Sequence, residues 1–67
     1  MPIITIDGPR IDDVDAKRRF VETLTDAMAE VYPRIDREHF VVIMRENRPE
    51  NVASGGVLIS DKHAEEP

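Results

Sequence analysis

The segment His39-Phe40-Val41-Val42-Ile43-Met44-Arg45-Glu46 constrains this chain more than any other. It reads as a strand, yet it does not alternate. Phe40, Val42 and Met44 make one face apolar, and Val41 and Ile43 make the other face apolar too. A strand that is apolar on both faces is buried on both. In a single small domain one helix covers one face. The other face must meet something else, most simply a second copy of the chain.

Size points the same way. A chain of 67 residues buries a modest fraction of its surface, and a core of that size supplies little stability without a staple. The sequence has no Cys, so disulfides are excluded. His39 and His63 show no ligand spacing, so no metal site is expected. Oligomerisation is the remaining route.

The net charge is −5 and the pI is near 4.8, which argues against nucleic acid and against an anionic membrane surface. Phe40–Met44 is far too short an apolar run to span a bilayer. No basic and apolar leader is visible, so the expected compartment is the cytoplasm. The acidic excess is uneven, with Asp12, Asp13 and Asp15 clustered and arginines spread among them. A local cationic pocket for an anionic ligand is compatible with that balance.

The rest of the chain reads as one domain, 1–67, with about 62–67 as a flexible tail. Residues 2–7 form an Ile-rich strand ended by Gly8-Pro9. A loop over 8–13 follows, with Asp12 or Asp13 as N-cap. A helix over 14–32 carries Phe20, Val21, Leu24, Ala27, Met28, Val31 and Tyr32 at a 3.6-residue period and stops at Pro33. The strand over 39–46 comes next. A turn-rich loop over 47–56, with Gly55-Gly56 as a hairpin turn, leads to a short strand Val57-Leu58-Ile59. Strand–helix–strand order makes the two long strands parallel. The fold class is α/β (α+β), a β-α-β unit with a short C-terminal hairpin whose sheet is completed by oligomerisation.

Candidate chemistry begins at Pro2. Proline suits the first position of a strand, where no ladder donor is needed. Removal of Met1 would also expose a secondary amine there. Dehydration and nearby cations lower the pKa of such an amine, and a base with a pKa near ambient pH suits proton transfer. Arg10, in the following loop, is either a solvated cation or a bidentate anchor for a carboxylate. Arg45 and Arg48 have the same pair of readings, and Arg45 shares the parity of Val41 and Ile43, away from the helix. Ser54 and Ser60 sit in no nucleophile motif.

These elements together resemble the 4-oxalocrotonate tautomerase family. The resemblance rests on the Met-Pro start, the Ile-rich strand, Arg10, one amphipathic helix, a second strand ending in Glu46 and the Gly55-Gly56 loop. It covers about residues 2–61, and Pro49–Ile59 is similar to the DmpI-type branch. It implies dimers with a four-stranded sheet, assembled as a homohexamer of three dimers. It also implies enol–keto tautomerisation of a small 2-oxo or 2-hydroxy-dienoic acid, as in aromatic-compound catabolism. Pro2 would be the general base and Arg10 the anchor of the substrate carboxylate, with no metal or organic cofactor. The family's type enzyme has a second arginine where this chain has Val41, and an aromatic residue where it has Val52. Arg45 or Arg48 is the expected replacement cation in substrate binding. Rival readings are a hydratase or dehalogenase of unsaturated acids, with Glu46 or Glu50 activating water, and a non-catalytic oligomeric module of the same fold.

Overall fold

The computed structural model describes residues 1–64. Its elements run β1 (Ile3–Gly8), α1 (Val14–Val31), a 3₁₀ turn over Arg37–His39, β2 (Val41–Glu46), a second 3₁₀ turn over Pro49–Asn51, β3 (Ala53–Ser54), β4 (Val57–Leu58) and α2 (Ile59–Ala64). β1 and β2 pair in parallel from Ile3↔Val41 to Gly8↔Glu46. β3 and β4 pair antiparallel as a hairpin over Gly55 and Gly56, whose φ angles of 61° and 80° favour glycine. This is the expected β-α-β unit with its C-terminal hairpin.

The helix starts where a cap is available. Asp13 Oδ1 accepts the N–H groups of Asp15 and Ala16 at 2.9 and 3.2 Å, satisfying donors that the first turn leaves unpaired. Its end lies just ahead of Pro33, which cannot continue the i→i−4 ladder. The inward stripe of α1 is Lys17, Val21, Leu24, Thr25 and Met28. Met28 and Phe40 form the buried core, at 6% and 8% exposure. Thr25, half-buried on this stripe, donates its hydroxyl to the Val21 carbonyl at 2.7 Å, so that polar atom is paired within the helix. Phe20, Val31 and Tyr32 stay exposed, so the apolar stripe is wider than the sheet beneath it.

The sheet shows the same one-sidedness. Ile4, Ile6, Val42 and Met44 are half-buried toward α1, whereas Ile3, Thr5, Ile43 and Arg45 on the opposite face are exposed. The doubly apolar strand therefore has one face covered and one face open. Overall dimensions of 49 × 25 × 14 Å and a radius of gyration of 16.0 Å describe a thin slab with an arm. A compact chain of this length has a radius near 11 Å. The arm is the hairpin with α2, which packs on the Pro49–Asn51 turn and leaves Val52, Val57 and Leu58 exposed.

Three expectations need correction. The second strand begins at Val41 rather than at 39. Asp36 opens a 3₁₀ turn whose carbonyl takes the His39 N–H at 2.9 Å, and the Arg37 carbonyl takes that of Phe40 at 3.2 Å. Ile59 does not extend the third strand. Its N–H donates to the Val52 carbonyl at 2.8 Å, and from there the chain turns into α2. Residues 62–64, expected in the flexible tail, belong to that helix, and 65–67 lie outside the described residues.

Candidate active site

Pro2 stands at the head of β1, half-buried, with Met1 beside it 79% exposed. Its carbonyl accepts the Val41 N–H at 3.1 Å, which continues the parallel ladder one step past Ile3. The position where a second-strand arginine would stand is thus next to Pro2. Val41 makes it apolar, and the buried Phe40 precedes it. Proline costs the sheet nothing here, because its missing N–H faces no ladder acceptor.

The arginines lie at the other end of the sheet. β1 rises about 17 Å from Ile3 to Gly8. Beyond it, Arg10 occupies the loop into α1, where its Nε lies 3.2 Å from Asp12, with the two side chains 79% and 88% exposed. Arg48 caps the Pro49–Asn51 turn and lies 3.8 Å from Glu50. Arg45 pairs in register with Asp7 one residue before the end of β2 and is exposed on the outer face. Ion pairs as exposed as these contribute little to stability, so they leave Arg10 and Arg48 able to exchange their partners for a ligand.

A cavity of about 410 Å³ opens at this end, between Asp7, Gly8 and Pro9 on one wall and Asn47, Pro49, Val52 and Ile59 on the other. The Asn47 N–H donates to the Gly8 carbonyl at 2.8 Å and ties the two walls together. Val52, at the position of the expected aromatic residue, lines it. A wider depression of about 670 Å³ lies along α1, lined by Val21, Glu22, Thr25, Arg37, Glu38 and Phe40. Its one cation, Arg37, lies 2.7 Å from Asp26, and the other charges in its lining, Glu22 and Glu38, are acidic. The smaller cavity is the one at the arginine end of the sheet, and the charged residue in its lining is Asp7.

Glu46, the last residue of β2, organises the arginine end. Its Oε1 accepts Lys17 Nζ from α1, and its Oε2 accepts the Ile11 N–H at 3.3 Å. Both side chains remain partly open to solvent, Lys17 at 30% and Glu46 at 27% exposure. The hydrogen bond from Lys17 holds the Glu46 carboxyl below its ordinary value of 4.5. Partial burial opposes it, while the Ile11 N–H and the charges of Lys17 and Arg10 add to it. Nothing in the sequence links positions 17 and 46, which only the parallel crossover brings together. A carboxylate with both oxygens engaged and its proton affinity lowered is a poor base for activating water, which counts against that role for Glu46.

One chain therefore holds Arg10, Arg45 and Arg48 at one end of the sheet and Pro2 at the other. Asp36, Glu38 and His39, which lie outside both groups, each bring one potential ligand atom within 4.8 Å of the others on an exposed turn. Their exposure leaves that trio without the buried surroundings of a built metal site.

The tautomerase family, described as tautomerase enzyme, matches residues 2–62. No curated protein is significantly similar to the chain. Among solved structures, DmpI from Archaeoglobus fulgidus is 43% identical, with a TM-score of 0.75 over 90% of this chain and all of its own. The 4-oxalocrotonate tautomerase homologue TTHB242 is 30% identical, with a TM-score of 0.81 over 91% of this chain and 95% of its own. TomN, a 4-oxalocrotonate tautomerase homologue in the tomaymycin biosynthetic pathway, is 25% identical, with a TM-score of 0.80 over 94% of this chain and 95% of its own. With the family match spanning nearly the whole β-α-β unit and its hairpin, the chain belongs to the tautomerase family.

Proposed function

We propose that this protein is a cofactor-independent isomerase that interconverts the enol and keto forms of a small 2-hydroxy-dienoic or 2-oxo acid. The observation that carries the reading is Pro2 at the head of β1, with the apolar Val41 bonded to its carbonyl where a charged residue would otherwise stand. Removal of the exposed Met1 turns the Pro2 nitrogen from a tertiary amide into a secondary amine. Dehydration of that amine disfavours its ammonium form and lowers its pKa toward the working pH. The amine then takes the hydroxyl proton of the dienol. The oxygen lone pair closes the C=O bond, the double bonds shift, and the prolinium returns the proton to a carbon of the substrate.

The carboxylate needs a cation that Pro2's own chain does not hold nearby. Arg10 is proposed as the anchor through two parallel N–H···O bonds, with Arg45 and Arg48 adding positive charge at the same end of the sheet. β1 separates Pro2 from these residues by about 17 Å, so each complete site combines Pro2 of one copy with the cavity and arginines of another. The open sheet face, the exposed flank of α1 and the unpacked arm support such a homo-oligomer, a hexamer of three dimers in our reading. No helix of the described residues is long and apolar enough to cross a membrane. We place the enzyme in the cytoplasm.

Intact-protein mass spectrometry of the native protein should show the loss of Met1. Ketonisation of 2-hydroxymuconate or phenylenolpyruvate should then collapse in Pro2→Ala. Retained Met1, or equal rates for wild type and Pro2→Ala, would refute the reading and leave a non-catalytic oligomeric module.

A further inference from the structure

Residues 9–12 carry Arg10 yet belong to no helix or strand. Pro9 has no N–H to donate, and among the described residues Arg10 and Asp12 pair with each other on the surface. Among the described residues, the hydrogen bond that joins this loop to another element is the one from the Ile11 N–H to Glu46 Oε2. Glu46 is itself held on its other oxygen by Lys17, one turn into α1. It is also held through its backbone, since it ends β2 in register with Gly8, the residue from which the loop departs. Its carboxylate thus spans both ends of the loop and grips the middle.

We infer that Glu46 is a positioning residue for carboxylate binding: by accepting the Ile11 N–H while anchored to Lys17, it holds the loop so that Arg10 is presented toward the cavity beside Gly8 and Pro9. Glu46 does not touch the substrate, and it acts through Arg10. The inference rests on Arg10 as the carboxylate anchor and deepens that reading. The charged groups that face Glu46 are Lys17 from α1 and Arg10 from the loop, both cationic. The carboxylate stays ionised at any pH where the enzyme is assayed, so its contribution to KM does not vary with pH across the neutral range. That separates it from Pro2, whose titration governs the rate.

The chemistry needs an acceptor at Glu46 more than it needs the charge. Glu46→Gln keeps a carbonyl oxygen for the Ile11 N–H, whereas Glu46→Leu keeps the volume and removes the acceptor. A mobile anchor weakens substrate binding without altering the amine, so the effect falls on KM. A misplacement of the order of an ångström is worth roughly 10- to 100-fold.

The test uses the full-length oligomer with 2-hydroxymuconate as substrate, together with hydrogen exchange at the Ile11 amide. Glu46→Leu should speed exchange at Ile11 and raise KM at least about tenfold, with kcat and its pH profile held. Glu46→Gln should restore KM to within a few-fold of wild type. In an Arg10→Ala background Glu46→Leu should add nothing further to KM, because its effect passes through the missing guanidinium. Faster exchange at Ile11 with unchanged KM would overturn the inference and make Glu46 merely structural, as would additive effects of the two substitutions. An unchanged KM in Arg10→Ala alone would overturn the anchor itself and the inference with it, an outcome visible without any Glu46 variant.

Discussion

If Pro2 and Arg10 act on one substrate from different copies, two variants that are each impaired alone should rescue each other. The perturbation is a pair of substitutions kept on separate chains, Pro2→Ala on one and Arg10→Ala on the other. The length of β1, about 17 Å between Ile3 and Gly8, is the reason the proposed site takes the two groups from different chains. Each variant alone then has no complete site. In a mixed oligomer a site is complete when its base comes from an Arg10→Ala chain and its anchor from a Pro2→Ala chain. With equal amounts and random assembly each condition is met about half the time, so about one quarter of the sites regain both groups.

The assay is co-refolding of the two variants from denaturant, followed by ketonisation of 2-hydroxymuconate at a matched chain concentration. Recovery should approach about 25% of wild-type activity at a one-to-one ratio and fall on either side of it. Mixing without denaturation should recover activity only as fast as chains exchange. A co-refolded mixture no more active than the better of its two parents would refute the reasoning, because it would mean that Pro2 and Arg10 serve one site from the same chain.

Three further outcomes follow from named contacts. Phe40→Ala removes one of the two side chains that are buried among the described residues, at 8% exposure, and should cost about 3–5 kcal/mol, read from urea unfolding at fixed chain concentration. Ile43→Asp places a carboxylate on the open sheet face, where Ile43 is 42% exposed in the single chain, and association should weaken by several kcal/mol, seen as a fall in mass by light scattering. The Glu46 carboxyl has a folded-state pKa below its ordinary 4.5, so the unfolded chain binds the proton more readily. Its contribution is therefore full above the ordinary value and is lost as pH falls through the lowered one. Wild type should lose stability faster than Glu46→Gln as the pH drops below about 4.5 in acid titration followed by circular dichroism, and parallel curves would contradict it.

Periodicity made the β-α-β unit legible. The spacing of Val21, Leu24 and Met28 defined the inward stripe of α1, and Pro33 its end. The apolar residues on both faces of the second strand also announced an incomplete sheet, which appears as the exposed Ile3 and Ile43. Short apolar runs were not legible in the same way. Val57-Leu58-Ile59 fits a strand or the entry to a helix, and the bond from the Ile59 N–H to Val52 decides it. Of the candidate site, the residue types were readable and their grouping was not. Parity put Arg45 on the outer face, but only the paired register shows it beside Asp7, four residues beyond Val41. The Glu46–Lys17 pair is purely tertiary, so no local pattern could carry it.

Val41 links the chemistry to the assembly. A cation beside Pro2 would disfavour its ammonium form by direct repulsion, an effect present in a lone chain and weakened by salt. Val41 carries no charge, so it acts on the amine only by removing water. In a lone chain it does so poorly, because the surrounding face bears Ile3 at 51% exposure and Met1 beyond it. Neither Arg45 nor Arg48 of the same chain can make up the difference, since four residues of strand already place Arg45 about 13 Å along the sheet. In the proposed reading a neighbouring copy therefore does two things at once. It must cover this face, so that the amine is dry enough to be a base near neutral pH, and it must bring its own Arg10 end within reach of the carboxylate. If that reading holds, loss of the oligomer should remove the base and the anchor together and tie activity to chain concentration more tightly than if the cation stood beside Pro2.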